Sequence, residues 1–226
     1  MTIGRHRSPR TPATCDTHLV RDWIKWHEDY EIPGTPLSRR LDVVRSRLHE
    51  ALDAVGPGPA LLSLCAGDGR DVISVLRNQP REMKRVVLVE LDQTLAESAE
   101  QAAYAAGLSF LEVRRRDAGI VSSFIDVLPV DVLMLCGIFG NVEHTRIKDV
   151  VDFVPCLVRQ GGYVIWTRGG SEPDRRPEIR RWFTEAGLLE ISFAGAPEPY
   201  GVGLCRMTRP SLPTDHLPAT LFRFTS

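Results

Sequence analysis

Short apolar runs alternate with longer amphipathic segments over most of the chain. Each run is continuous rather than alternating, a pattern typical of parallel strands that are covered on both faces. Five such runs lie at Ala60–Cys65, Val86–Val89, Ser109–Val113, Val130–Leu135 and Tyr163–Trp166. This alternation of strand and helix predicts a doubly wound α/β sheet with right-handed crossovers.

Apolar positions at helical spacing lie between these runs. A glycine after the last apolar position is a common helix stop, because glycine adopts the left-handed conformation without strain. Three segments show this pattern: Leu95 to Gly107, Ile147 to Gly161-Gly162, and Ile179 to Gly187.

The two ends of the chain depart from this alternation. Before it, helices are predicted at roughly 17–30 and from Pro36 to Val55, the second with Thr35 as its N-cap. After it, the runs Leu188–Phe193 and Val202–Met207 predict a hairpin that leaves an antiparallel C-terminal edge. We therefore expect a disordered leader over 1–13, a helical cap over 14–58 and one mostly parallel, seven-stranded domain over 59–226.

Composition and charge narrow the range of partners. The 226-residue chain has 43% apolar and 25% charged residues and a formal net charge of −1, so its overall field attracts neither nucleic acid nor an anionic membrane. No apolar run approaches the roughly 20 residues of a membrane-spanning helix. These features predict a domain that acts on a small molecule, as a monomer or a homodimer.

The five cysteines are odd in number and widely scattered, and none forms a CxxC pair. They are Cys15, Cys65, Cys136, Cys156 and Cys205. Such a pattern argues against a disulfide framework and against a zinc site. We expect reduced thiols in a cytoplasmic protein, and no metal.

The loop after the first apolar run is the first candidate for a ligand site. Ligands of open α/β sheets bind beyond the carboxyl ends of the strands, and here the chain reads Cys65-Ala66-Gly67-Asp68-Gly69. Small residues allow positive φ and a close approach of the ligand, and the next helix points its amides at a negative group. The alternative is a tight turn without a ligand.

Two acids follow the second and third strands. Glu90 lies 23 residues after Gly67, near the roughly 20-residue spacing at which an acid meets a ribose, whereas Asp92 fits the N-cap of the next helix. Asp117 can accept from an adenine amino group, with Ala118 against the ring. The basic stretch at 114–116 is interpreted as a solvated edge.

The fourth strand ends in small residues that leave room for a substrate, within Cys136-Gly137-Ile138-Phe139-Gly140-Asn141. Ile138 or Phe139 would cover the adenine from its other face. Asn141 offers both a donor and an acceptor near the reacting centre.

Together these residues resemble the class I S-adenosylmethionine-dependent methyltransferases over roughly 59–207. The shared order is a glycine-rich loop, an acid ending the second strand, Asp-Ala after the third strand and a Gly-Gly turn before the fifth. The motifs CAGDGRD, GIFGN and WTR are similar to a group of bacterial methyltransferase-like proteins. The resemblance implies a Rossmann-like fold and S-adenosylmethionine as the cofactor.

The resemblance also implies roles for individual residues. Residues 65–69 would face the methionine part of the cofactor, Glu90 with Leu91 the ribose, and Asp117 with Ala118 the adenine. The family usually has an acid at the position of Ser63 and a glycine at that of Cys65. Backbone carbonyls would then supply the contacts to the ammonium group of the cofactor.

Candidate residues for the methyl acceptor lie on the N-terminal helices and on the carboxyl rim of the sheet. His27 and His144 are candidate bases for a hydroxyl acceptor, whereas a neutral amine needs none. Arg168 can bind an acceptor carboxylate bidentately. The remaining candidates for the acceptor pocket are Trp26, Tyr30, Asn141 and Trp166. The alternatives are an amphipathic helix end that packs on the core for 26–30 and a surface or capping role for His144.

The sequence therefore predicts a methyltransferase that acts on an oxygen or nitrogen of a small molecule. A nicotinamide-dependent oxidoreductase is disfavoured because residues 65–70 lack the GxGxxG spacing. A cofactor-binding regulatory protein remains an alternative. An RNA methyltransferase is less favoured, since phosphate binding needs clustered basic residues.

Overall fold

The computed structural model describes residues 30–225, and seven of their strands form one sheet in the order β3-β2-β1-β4-β5-β7-β6. Strands β1 to β5 are parallel, and β7 runs antiparallel to both of its neighbours. The strands are β1 Ala60–Leu64, β2 Arg85–Glu90, β3 Leu111–Arg115, β4 Val130–Leu135, β5 Val158–Gly169, β6 Leu188–Ala194 and β7 Tyr200–Met207.

Five helices cover the two faces of this sheet. They are α1 Pro36–Val55, α2 Arg70–Asn78, α3 Gln93–Ala105, α4 His144–Leu157 and α5 Arg176–Glu185. Helices α1, α2 and α3 contribute apolar side chains to the core on one face, and α4 and α5 contribute theirs to the other. Burial of apolar surface on both faces explains the continuous apolar runs of the central strands.

Helix α1 begins and ends where the sequence predicts. The Thr35 hydroxyl accepts from the Ser38 amide at 3.1 Å, proline follows at the first helical position, and Gly56 ends the helix at φ 83°. Within the apolar stripe of α1, Leu48 and Leu52 are fully buried. The described part of the predicted helical cap is therefore one element of the helical layer next to the sheet.

The C-terminal segment crosses the carboxyl edge of the sheet after β7. The Leu221 amide donates to the Gly119 carbonyl and the Thr225 amide to the Asn141 carbonyl, each at 2.7 Å. These bonds lay residues 219–225 beside the loops that follow β3 and β4. No periodic pattern in the sequence predicts this return.

The predicted fold class is confirmed, and the structure changes several of the boundaries, two of them with a clear physical reason. Helix α4 ends at Leu157, and the Gly161-Gly162 pair lies inside β5 instead of ending the helix. The reason is that Val158 already has extended backbone angles and pairs with Val130 of β4. Strand β3 begins two residues later than predicted, because Leu111 still donates to Leu108 in the turn after α3.

Within residues 30–225, no helix combines the length and the apolar character needed to cross a bilayer. The same residues contain no group of three or more His, Cys, Asp or Glu side chains placed to hold a metal ion.

Candidate functional site

A cavity of about 590 Å³ lies at the carboxyl ends of β1, β2, β3 and β4. That volume is within the range of pockets that hold small organic ligands. Of the predicted cofactor residues, those that line the cavity are Cys65, Ala66, Gly67, Asp68, Glu90, Leu91, Asp117, Ala118, Cys136 and Gly137. The crevice predicted from the strand-end residues is therefore present and open.

The glycine-rich loop forms the floor of the cavity as a tight turn. Gly67 and Gly69 have φ of 59° and 68°, and Cys65 has φ 56°, where side chains other than glycine are strained. A Cβ on Gly69 would lie 2.7 Å from Leu88 and 2.9 Å from Ile73. Gly69 is thus needed for packing between β2 and α2 and does not itself line the cavity.

Glu90 fixes the shape of this floor. Its Oε2 accepts from the Gly67 amide at 2.8 Å, and its Oε1 accepts from the Leu91 and Asp92 amides at 2.8 and 2.9 Å. A carboxylate has about four acceptor positions, so three serve the backbone and one remains for a ligand. Glu90 therefore braces the glycine-rich loop as well as lining the cavity.

Asp117 and Ala118 lie at the end of the cavity formed by β3. The Asp117 Oδ1 accepts from the Gly119 amide at 2.7 Å, which orients the carboxylate. Ala118 is buried and offers a flat apolar surface. Asp92 also lines this end and caps α3 through a 3.0 Å bond to the Leu95 amide, which confirms its predicted capping role.

Aromatic residues of the C-terminal segment complete the same end of the cavity. Phe222 and Phe224 line the cavity and stack on each other with centroids 5.7 Å apart and planes 22° apart. Arg223, between them, also lines the cavity. Sequence reasoning missed all three, and no local pattern points to them.

The opposite end of the cavity combines Tyr30, Arg40, Asp71 and Cys136. Arg40 donates to the Tyr30 hydroxyl, and the Arg70 guanidinium lies 5.0 Å from the centre of the Tyr30 ring. Burial raises the pKa of Tyr30 despite the nearby Arg40. Tyr30, which the sequence predicts to line the acceptor pocket, is therefore a neutral side chain in the wall of the cavity.

Asp71 lies on the first turn of α2, and burial strongly raises the pKa of its carboxyl group. Desolvation raises its pKa from 3.8 to about 6, and the bond from the Val72 amide to its Oδ1 at 2.8 Å opposes that change only in part. Burial likewise raises the pKa of the Cys136 thiol, and the charge of Asp71 raises it further. The two thiols that line the cavity, Cys65 and Cys136, are therefore protonated at neutral pH.

Carboxylates outnumber guanidinium groups in the lining of the cavity. Asp68 forms an ion pair with Arg70. The other carboxylates of the described lining still outnumber the other guanidinium groups. The acids are Asp68, Asp71, Glu90, Asp92 and Asp117, and the guanidinium groups belong to Arg40, Arg70 and Arg223.

Three residues predicted to touch the cofactor or acceptor are instead buried in the core. Ser63 lies inside β1 and is 2% exposed, and Ile138 and Trp166 are fully buried. Trp166 stacks between Phe183 and Phe193 at 5.5 and 5.7 Å. Their placement follows from strand parity and from the turn after β4, and none of the three lines the cavity.

Three residues predicted for catalysis or acceptor binding hold loops and helices together instead. Asn141 donates to the Gly137 carbonyl at 2.7 Å, and Arg168 donates to the Phe139 carbonyl at 2.6 Å. His144 bonds to Glu178 at 2.7 Å and packs on Trp182 of α5. None of the three lines the cavity, because each is turned toward its own loop or helix pair.

Trp26 and His27 lie outside the described residues, so their predicted roles stay predictions. The cavity residues that the sequence did not single out come mainly from helix faces. Arg40 and Leu41 belong to α1, and Arg70 and Asp71 to α2. The available signal was the DGRD stretch, whose last two residues continue from the loop into the helix.

The strand order, the antiparallel β7 and a cavity over the tips of the first four strands define the fold of class I S-adenosylmethionine-dependent methyltransferases. The predicted resemblance is confirmed at the level of the fold. Neither a protein-family model nor a curated protein matches the sequence.

Solved structures with this fold include several methyltransferases. An O-methyltransferase family protein from Burkholderia thailandensis has a TM-score of 0.60 and 18% identity, over 76% of this chain and 56% of that one. An O-methyltransferase family 2 protein from Planctomyces limnophilus, in complex with apigenin, has a TM-score of 0.59 and 17% identity, over 76% and 60%. The CurJ carbon methyltransferase has a TM-score of 0.65 and 13% identity, over 83% and 59%. This chain thus matches less than two thirds of each of these three proteins.

Proposed function

We propose that this protein binds S-adenosylmethionine and transfers its methyl group to an oxygen or nitrogen of a small molecule. The observation that carries the proposal is the pair Glu90 and Asp117, which end adjacent parallel strands and line one open cavity. Vicinal ribose hydroxyls and an adenine amino group are hydrogen-bond donors, and the two carboxylates could accept from them.

The charge of the cavity fits this cofactor. S-adenosylmethionine carries a sulfonium, an ammonium and a carboxylate, and is therefore a net cation. The described lining has five carboxylates and three guanidinium groups, which favours a cation. The pyrophosphate of a nicotinamide dinucleotide would instead face Asp68 in the glycine-rich turn, which disfavours the oxidoreductase alternative.

The cofactor would supply an activated methyl group, and the protein's part is to bind, orient and exclude water. Glu90 would accept from the ribose through its remaining acceptor position. Asp117 and Ala118 would hold the adenine, with Phe222 and Phe224 beside it. The turn at 65–69 would lie below the sulfur.

We propose a small molecule as the acceptor because the chain has a net charge of −1 and the described cavity is acidic, which disfavours a phosphate-rich substrate. Tyr30 and Leu41 line the cavity and would contact the acceptor. No histidine lines the described part of the cavity. We also propose a cytoplasmic location, since the four described cysteines are free thiols.

Isothermal titration calorimetry with S-adenosylmethionine, its demethylated product S-adenosylhomocysteine and NAD tests the proposal. We expect binding of the two adenosyl compounds and none of NAD. Asp117→Asn should weaken the binding of both adenosyl compounds at least tenfold, whereas Asp126→Asn, which pairs with Arg114 of β3 outside the cavity, should not. Binding of NAD alone would refute the assignment.

A regulatory, non-catalytic cofactor-binding protein is the second candidate. It is favoured by one observation: Asn141 and His144, the described residues predicted for catalysis, are both engaged in structural bonds. Incubation with methyl-labelled cofactor and a panel of small phenols and amines separates the two. Tight binding with no labelled product from any acceptor would support the regulatory role.

A further inference from the structure

The two ends of the cavity differ in their chemistry. The end near β3 presents Asp117, Ala118 and the Phe222–Phe224 stack, a surface suited to a planar base. The end near α1 and α2 presents Asp71 and Arg40, one carboxylate and one guanidinium. The glycine-rich turn lies between them, so a ligand that reaches from one end to the other passes over it.

Asp71 is a carboxylate with no cation to balance it within the described residues. Its Oδ1 accepts from the Val72 amide at 2.8 Å, and the neighbouring Arg45 and Arg70 form their ion pairs with other acids. The charge of Arg45 of α1 lowers the pKa of Asp71 only slightly against burial, and the Arg45 guanidinium itself donates to the Arg70 carbonyl at 3.0 Å. An ionised carboxylate in such a place is costly unless a cation reaches it.

Other groups around Asp71 do not supply that cation. Asp68 of the loop raises the pKa of Asp71, and the charge of Asp71 in turn raises the pKa of Tyr30 and of the Cys136 thiol, which follows β4. Arg40 of α1 bonds to the Tyr30 hydroxyl. Ser63, which also precedes the turn, is buried inside β1 and does not line the cavity.

We propose that Asp71 binds the ammonium group at the amino-acid end of the adenosyl cofactor, with Arg40 on the same wall facing its carboxylate. This inference rests on the proposed function and names the residue that fixes the direction of the cofactor in the cavity. The nucleoside would lie toward Asp117, and the zwitterionic end toward Asp71.

A truncated ligand provides the test. S-adenosylhomocysteine carries the amino-acid end, and 5′-methylthioadenosine lacks it but keeps the nucleoside and the sulfur. For Asp71→Asn we expect at least a tenfold loss of affinity for S-adenosylhomocysteine and less than a twofold change for methylthioadenosine. The amide keeps the size of the side chain and an oxygen for the Val72 amide.

Asp117→Asn is the matched control, since it is the same substitution at the other end of the cavity. Asp117→Asn should lower the affinity for both ligands by the same factor. Equal effects of Asp71→Asn on both ligands, or no effect on either, would overturn the role of Asp71 and leave the proposed function standing. Failure of the unchanged protein to bind either ligand would instead refute the proposed function.

Proton release gives a second readout that a purely structural role would not produce. An ammonium beside Asp71 favours its carboxylate form, so binding near pH 6 should release protons. Calorimetry in two buffers of different ionisation enthalpy measures this release. We expect it with S-adenosylhomocysteine and the unchanged protein, and expect it to be absent with methylthioadenosine and with Asp71→Asn.

Discussion

Replacing Glu90 by glutamine should loosen the floor of the cavity and destabilise the whole protein. The carboxylate accepts from three backbone amides at 2.8–2.9 Å. A glutamine has one acceptor oxygen, so whichever way its amide lies, at least one backbone N–H faces the NH₂ group. Gly67 is buried, and therefore water does not readily replace the lost partner.

The magnitude follows from this count of bonds. A buried donor without a partner costs about 1–3 kcal/mol, and the bonds that remain lose the assistance of the negative charge. We expect the free energy of unfolding to fall by about 2–3 kcal/mol. For a chain of this size that corresponds to a decrease in Tm of about 4–12 °C.

Thermal and urea denaturation of Glu90→Gln measure this loss, and Glu112→Gln is the control. Glu112 lies on β3 and pairs with Arg85 and Arg114 at the exposed side of the sheet, where such pairs contribute about 0–1 kcal/mol. Equal Tm values for the two variants would refute the bracing role of Glu90. S-adenosylhomocysteine binding should also be weakened only by Glu90→Gln.

Three further predictions concern the rest of the cavity. Burial raises the folded-state pKa of Asp71 above its unfolded value of 3.8 to about 6, so ionised Asp71 destabilises the fold above pH 6. Asp71→Asn should therefore be more stable than the unchanged protein by about 2–3 kcal/mol at pH 7.5, and this difference should vanish below pH 4. Denaturation measured across this pH range tests the prediction. Phe224→Ala should weaken adenosine binding by about 1–3 kcal/mol, the range for a base stacked on an aromatic ring, and unchanged affinity in calorimetry would contradict the stacking. Cys136 lines the cavity and Cys205 lies in the core. Bound S-adenosylhomocysteine should therefore slow the alkylation of Cys136 more than that of Cys205, whose rate reports the general stabilisation of the fold by the ligand. Mass spectrometry measures both rates.

The sequence predicts the sheet well because its signals are local. Continuous apolar runs identify the parallel strands, and glycine after an apolar stripe identifies helix ends, as at Gly107 and Gly187 with φ of 69° and 91°. The carboxyl-end rule then brings Gly67, Glu90 and Asp117 into one cavity. Those residues could be predicted because each directly follows a strand.

Side-chain direction near strand ends is harder to predict, because it depends on parity and on the turn that follows. Trp166 and Thr167 are neighbours in β5, yet Trp166 faces the core and Thr167 accepts from the Gly137 amide at 2.9 Å. After β4, the Asn141 amide bonds back to the Ile138 carbonyl at 2.9 Å, and Ile138 lies in the core. A shift of one residue along the chain therefore decides whether a side chain lies in the cavity or in the core.

Contacts distant in sequence could not be predicted at all. Thr225 bonds to Asn141 across 84 positions, and segment 208–225 has neither helical nor strand periodicity. Its placement depends on β7, which inserts between β5 and β6 and ends near Tyr163 at the amino side of the sheet. The segment then passes Pro155 before it reaches the carboxyl edge. The aromatic wall of the cavity is therefore a property of the assembled sheet and of no single motif.

The proposed direction of the cofactor would also determine where an acceptor enters. With the nucleoside between Asp117 and Phe222 and the ammonium at Asp71, the sulfur would lie over the 65–69 turn, close to the end of β4. Tyr30 and Leu41 line the same cavity, and the Arg70 guanidinium lies 5.0 Å from the centre of the Tyr30 ring. Because a ring held in this way has little freedom to turn aside, acceptor selectivity should depend on Tyr30 more than on Arg168, which lies outside the cavity with its Nη1 bonded to the Phe139 carbonyl.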